Sequence, residues 1–278
     1  MKRFLAVLLA ALLAVTMLAA CGDNANDDSQ NGGNGNEVVG NGDETPDNGE
    51  ADGEDDVQGD EDVVVMSYAE YAAAELETQV VVETYVQAKQ SWWENSATLY
   101  TQDQDGAYFI YNVACSEEDY AKLTEGTKIR VTGYKAEWAG EIEIIDGTFE
   151  IIEGDTFVAE PKDVTSLLGT DELIDSQNQL VSFKGMTVEP STDADGNEVA
   201  YLYSWDGSGT EGDDLYFNVS VNGNTYSFVV ESDLCDSTTE VYSAVKNLQV
   251  GDKIDMEGFL YWYEGVNPHI ISVTPAAE

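Results

Sequence analysis

The chain has 278 residues, 55 of them acidic and 11 basic, for a formal net charge of −44. Nucleic-acid binding draws most of its affinity from Lys and Arg neutralising phosphates, and a polybasic patch is what holds a protein on an anionic membrane surface, so this balance argues against both. One histidine and three cysteines exclude a Cys/His zinc centre and leave no ready Ser-His-Asp or Cys-His set.

At the start, Met1-Lys2-Arg3 precedes an apolar run from Phe4 to Ala20 interrupted only by Thr16. A charged beginning, a hydrophobic middle and small residues at the cut describe an export signal, and the run is short for a membrane span of about 20 residues. Leu18-Ala19-Ala20-Cys21 resembles the lipobox of bacterial lipoproteins. That resemblance implies that residues 1–21 end in a lipidated Cys21, carrying palmitate, which anchors the chain to the extracellular face of the cell membrane. An ordinary secretory signal cut near Ala20, or an uncleaved helix, are the alternatives.

Residues 22–66 contain no Lys, Arg or aromatic residue and hold fifteen of the acids. Such a stretch cannot bury enough apolar surface to offset its chain entropy, and its like charges repel, so a disordered, extended acidic linker is expected. The remaining 67–278 still carry 40 acids against 9 bases, a net of −31.

A short helix is expected over 67–76, then a strand over 79–86. Strands over 97–102 and 107–113 flank Asp105-Gly106, a pair suited to the positive φ of a tight hairpin. Cys115 follows, then a helix over 116–123 capped by Ser116, and strands through Gly126–Gly140 and over 141–152. The second half repeats the order. A helix is expected over 164–179, strands over 180–188, 215–221 and 225–231 with Asn222-Gly223 at the hairpin, then Cys235, a helix over 237–248, and strands from Gly251 and over 268–273.

The register of the two halves rests on glycine. Gly126, Gly133 and Gly140 recur as Gly251, Gly258 and Gly265 with the same seven-residue spacing, and Lys128-Ile129 recurs as Lys253-Ile254. Five strands with a helix between the third and fourth is the order of the OB-fold. The chain is therefore expected to be mainly β, two tandem five-stranded OB-like barrels over 67–160 and 161–278, and it resembles the uncharacterised tandem OB-like lipoproteins of bacteria.

For chemistry, His269 beside Pro268 reads as a surface residue on an edge strand rather than a base. Cys115 and Cys235 sit at matching places in the repeats and read as two separate thiols, a bridge between the halves being the alternative. Asp193, Asp195 and Asn197 around Gly196 imitate a calcium loop, but the glycine comes too early for an EF-hand, and a turn is the simpler reading. No cofactor is expected. Aromatic residues are the more informative set. Trp92 and Trp93 lie in the connection after the first strand, Tyr203 and Trp205 in its counterpart, and Trp138 and Trp262 near the two strand-four to strand-five turns. OB-folds dock oligomers on these loops and on the face of strands two and three, where rings can stack on a ligand. A non-enzymatic surface binding protein for a peptide, protein or neutral glycan is the resulting expectation. The alternatives are a carboxylate- or divalent-metal-dependent hydrolase using Asp193 or Asp195, and single-strand nucleic-acid binding, which rests on fold analogy alone and is opposed by charge.

Overall fold

The computed structural model describes residues 64–277, so the export signal, Cys21 and the linker up to residue 63 lie outside the described residues. Ser67 opens α1 (Tyr68–Ala73) with a reciprocal cap: its hydroxyl accepts from Glu70 N, and the Glu70 carboxylate accepts from Ser67 N at 2.8 Å. One residue earlier, Met66 N donates to Val81 O, which ties the expected end of the linker to the folded body.

The first barrel consists of β1 (Gln79–Lys89), β2 (Ser96–Gln102), β3 (Ala107–Ala114), α2 (Glu117–Lys122), β4 (Lys128–Trp138) and β5 (Glu141–Ile151). Its strands close in the order β1-β2-β3-β5-β4, all pairs antiparallel except β3 with β5. Alternation along β1 puts Val80, Val82 and Val86 inside, with Leu99, Ile110, Ile129, Val131 and Ile144 from the other strands filling the barrel. Buried Thr84 occupies one position of that inward row, and its Oγ1 has no hydrogen-bond partner.

The second barrel follows β6 (Lys162–Asp163) and two 3₁₀ turns, Thr165–Leu167 and Asp171–Ser176. It comprises β7 (Leu180–Glu189), β8 (Ser191–Thr192), β9 (Glu198–Val199), β10 (Leu202–Tyr203), β11 (Leu215–Val221), β12 (Asn224–Val230), α3 (Glu240–Lys246), β13 (Lys253–Phe259) and β14 (His269–Pro275). Strand β7 pairs with both β11 and β13, so β7-β11-β12-β14-β13 is also a ring, with β12 and β14 parallel. The two rings share one strand order, and the chain is a tandem OB-like protein as the repeat predicts.

Each glycine triplet does one job twice. Gly126 and Gly251 enter the fourth strand at φ +82° and +94°, and Gly140 and Gly265 turn out of it at +93° and +140°. The middle glycines let the fifth strand cross closely: a Cβ on Gly133 would lie 2.6 Å from Ile144 Cγ2 and 2.9 Å from Ile145 O, and one on Gly258 would run into His269 O. The ladder register slips at both places, between Thr132 and Tyr134 and between Glu257 and Gly258.

Three local expectations need correction. The helix expected over 164–179 is two separate 3₁₀ turns, because Leu168 is extended and Gly169 has φ +83° between them. The helix over 237–248 shortens to Glu240–Lys246: Asp236 binds Thr238 N and Oγ1, and Thr239 becomes the cap. At Asp105-Gly106 no positive φ is used. Asp103 Oδ1 accepts from Asp105 N and Gly106 N, making a side-chain-stabilised turn, and Gly106 is required because any Cβ would overlap the Tyr68 ring. Asn222-Gly223 does use φ of +53° and +82°.

Candidate binding surface

The outward face of β2 and β3 in the first barrel is closed. Tyr100 and Phe109, paired across the ladder, point away from the barrel and are buried at 1% exposure each against Phe259 and Tyr261 of the second barrel. Tyr100 stacks on Phe259 at 4.6 Å between centroids, and Phe109 meets Tyr261 edge-on at 5.2 Å. His269 is part of this junction, which corrects the expectation of a surface imidazole. It is 5% exposed, its Nδ1 lies 2.5 Å from the Tyr100 hydroxyl, and its ring stacks on Tyr261 at 4.2 Å. The reason is that β14 starts at His269 next to Val229 of β12, at the seam where the barrels meet.

A second part of the junction joins the two turns that follow the fourth strands. Trp138 lies 4.9 Å from Tyr263, Glu264 N donates to Ala139 O, and Trp262 packs over Gly140, where a Cβ would come 3.3 Å from its ring. Buried Glu141 is the hub. Its Oε2 accepts from Trp262 N at 2.8 Å and from Gln177 Nε2 at 3.2 Å, while Oε1 has no hydrogen-bond partner. Burial pushes this carboxyl up to about 8, and buried Glu143, two residues on, pushes the same way. The Trp262 N–H and the Asn178 and Gln177 side chains pull it back in part.

The second barrel leaves the hairpin end of its corresponding face open, while Val229 at the other end is buried beside His269. Tyr216, Asn218 and Ser220 on β11 alternate outward against inward Leu215, Phe217 and Val219, and they pair with Val229, Ser227 and Thr225 of β12. Ser227 and Thr225 are both exposed.

Of the six aromatic residues singled out by sequence, the structure packs four and exposes two. Trp92 is half-buried with Nε1 donating to Cys115 O at 2.9 Å. Trp138 and Trp262 belong to the junction, and Tyr203 packs on Tyr201 and the second core. Trp93 is 65% exposed and Trp205 72%. Both are presented by strained backbone. A two-residue turn, Glu94 at φ +47° and Asn95 at +62°, follows Trp93, and Ser204 at +59° precedes Trp205.

The connections that carry these two tryptophans, equivalent in the two barrels, both bond to one segment. On one side, Ser91 N donates to Asp233 O at 2.6 Å and Gln90 Nε2 to Glu231 at 2.8 Å. On the other, Asp214 accepts from Ser232 N at 2.9 Å and Oγ at 2.7 Å, and its own carbonyl accepts from Ser204 N at 2.8 Å. Residues 231–233 are thus clamped between the connection carrying Trp93 and the one carrying Trp205. Composition and spacing point to the tryptophans but not to this convergence, since the bonds depend on how one barrel sits on the other.

The other candidates hold structure rather than chemistry. Asp193 accepts from Asp195 N, Asn197 N and Asn197 Nδ2 in a self-contained turn. Cys115 and Cys235 are free and buried, and burial raises both thiols, Cys235 to about 12. Among the described residues no group of three or more His, Cys, Asp or Glu is placed to hold a metal ion, and no helix is long and apolar enough to cross a membrane.

No protein-family model matches the chain, and no curated protein does. Solved structures with some likeness include a murine DNA-binding protein bound with double-stranded DNA, 11% identical over 71% of this chain and 97% of that one, TM-score 0.35. Another is the Ifi202 HINa domain in complex with 20-base-pair double-stranded DNA, 13% identical over 73% and 98%, TM-score 0.31. A deletion mutant of the single-stranded DNA-binding protein from Thermus aquaticus is 12% identical over 72% and 94%, TM-score 0.23. At such scores the likeness carries no argument, and the OB-like assignment rests on the strand order of the two rings.

Proposed function

We propose that the chain is a non-enzymatic binding protein, held at the extracellular face of the cell membrane by a lipid on Cys21, that takes a peptide, protein or neutral glycan on the surface carrying Trp93 and Trp205. The observation that supports this reading is the exposure of two tryptophans, on equivalent connections of two barrels that both bond to residues 231–233. A large exposed ring costs hydration free energy, and two held on connections bonded to one segment form the kind of aromatic anchor that recognition surfaces use. Nucleic acid fits less well. Of the nine basic residues of the folded part, Lys128 and Arg130 are engaged by Glu83, Lys246 by Glu211, and Lys135 by three backbone carbonyls.

The test is a screen of the full chain against glycan and protein arrays, repeated with Trp93→Ala/Trp205→Ala. A partner that binds the native chain and is lost by the variant supports the proposal, and binding untouched by both substitutions would sink it. Anchoring is tested separately by labelling cells with radioactive palmitate: the label should enter the native chain and be absent from Cys21→Ala.

A further inference from the structure

Two tryptophans show where a ligand would sit; the charges around them say what kind of ligand it is. The three segments that build the surface, residues 90–95, 200–214 and 231–233, contain no Lys or Arg. Exposed carboxylates follow both rings in the chain: Glu94 follows Trp93, Asp206, which accepts from Ser208 N and Oγ, follows Trp205, and Asp233 lies on the clamped segment. Basic residues that come near these segments are occupied. Lys89 donates to Tyr120 O and sits over the Tyr120 ring, 3.8 Å from its centroid, and Lys246 pairs with Glu211 at 2.5 Å. None of the three segments therefore supplies a cation to offset its own field, and the folded part around them carries a net of −31.

We infer that this surface docks a cationic polypeptide segment, one presenting Lys or Arg side chains in extended chain; this rests on the binding role proposed above and narrows it. An indole face attracts an ammonium or guanidinium group, and carboxylates on the same connections add Coulombic attraction. A phosphate or sulfate polymer meets repulsion at each of these positions. A neutral sugar can stack on the rings and donate its hydroxyls to nearby carboxylates, but it leaves their negative charge unbalanced. A cationic chain meets the rings and the charge together. The two rings, presented from connections of separate barrels that both bond to residues 231–233, provide two stations for side chains of one extended segment, which a single exposed ring could not.

The experiment uses the full chain with a fluorescent ten-residue oligo-lysine, an uncharged Gly-Ser peptide of equal length, and a neutral oligosaccharide. Affinity is measured by anisotropy in the native chain and in Trp93→Ala/Trp205→Ala, which keeps the net charge unchanged. Oligo-lysine binding should weaken about tenfold in the variant and should fall as salt rises from about 50 to about 500 mM. Melting curves of the two proteins should coincide, so that a loss is not an unfolding effect. Oligo-lysine binding that is equal in both proteins would be general attraction to an acidic body, and it would overturn the inference, as would no binding at all. Loss in the variant of binding to the oligosaccharide or the uncharged peptide, with no tryptophan-dependent oligo-lysine binding, would overturn the inference while leaving the broader binding role standing. Failure of every probe to sense the tryptophans, here and on the arrays, would remove both.

Discussion

The two barrels close in the same order, yet their equivalent faces have opposite fates. In the first, the outward side of β2 and β3 carries Tyr100 and Phe109 and is sealed by Phe259 and Tyr261. In the second, the hairpin end of the outward side of β11 and β12 carries Asn218, Ser227 and Thr225 and stays in contact with solvent, while Val229 at the other end is buried. A duplicated fold has thus been divided: one copy uses the face on which OB-folds usually dock ligands to hold its neighbour, and the neighbour keeps the hairpin end of that face free. The difference is one of residue type at outward positions, not of topology.

The sharpest way to break this contrast is to remove an aromatic ring from the sealed face. Phe109→Ala deletes a side chain that is 1% exposed and packed on Tyr261, and it should cost about 3–5 kcal/mol in a denaturant titration. Ser227→Ala, at an exposed position of the open face, should stay within about 0.5 kcal/mol. Equal effects would mean that the first barrel's face does not hold the pair together.

A pH-dependent effect belongs to Glu141, the carboxyl at the centre of the junction. Its folded value of about 8 lies above the ordinary 4.5, so between those values the native state holds a proton that the unfolded chain has released. Stability should then fall by about 1.4 kcal/mol per pH unit as pH rises from 4.5 to 8, with Glu141's full contribution present below 4.5 and gone above 8. Glu141→Gln keeps an oxygen to accept from Trp262 N and loses the titrating proton, so its stability relative to the native chain should gain with pH over the same window. Trp138, paired with Glu141 across the ladder, and Trp262, whose backbone N–H donates to that carboxyl, are two of the chain's five tryptophans, so part of the fluorescence reports on the junction. Parallel pH profiles for the two proteins would show that the carboxyl is charged in the folded state.

Much of this architecture is legible from residues alone, because strand order and glycine spacing are local. Gly133 and Gly258 mark the repeat, Ser116 announces a helix cap, and Asn222-Gly223 a tight hairpin. What could not be read are the places where local signals meet tertiary ones. Leu167, Leu168, Leu173 and Ile174 have helical spacing, but Gly169 divides them and the pieces settle as 3₁₀ turns. His269 looks exposed beside Asn267-Pro268, and only the arrival of Tyr100 from a strand 169 positions away buries it. The same holds for the tryptophans. Nothing in the spacing of Trp92, Trp138 or Trp262 separates them from Trp93 or Trp205, because burial is decided by contacts distant in the chain.

The smallest expected effect discriminates most finely, since it contrasts neighbours in one connection. Trp92 and Trp93 are adjacent and chemically identical. In extended backbone adjacent side chains point to opposite sides, so one faces the body and the other faces out. Trp92 donates its indole N–H to Cys115 O, and Trp92→Phe removes that donor while keeping most of the ring. The loss should be about 1 kcal/mol, near the net contribution of one hydrogen bond. Trp93→Phe at a site 65% exposed should shift stability by less than about 0.5 kcal/mol. Both substitutions can be read in one set of urea curves at fixed pH. If Trp93→Phe were the more damaging of the two, Trp93 would be a structural ring, and the surface shared by the two barrels would lose one of its two anchors.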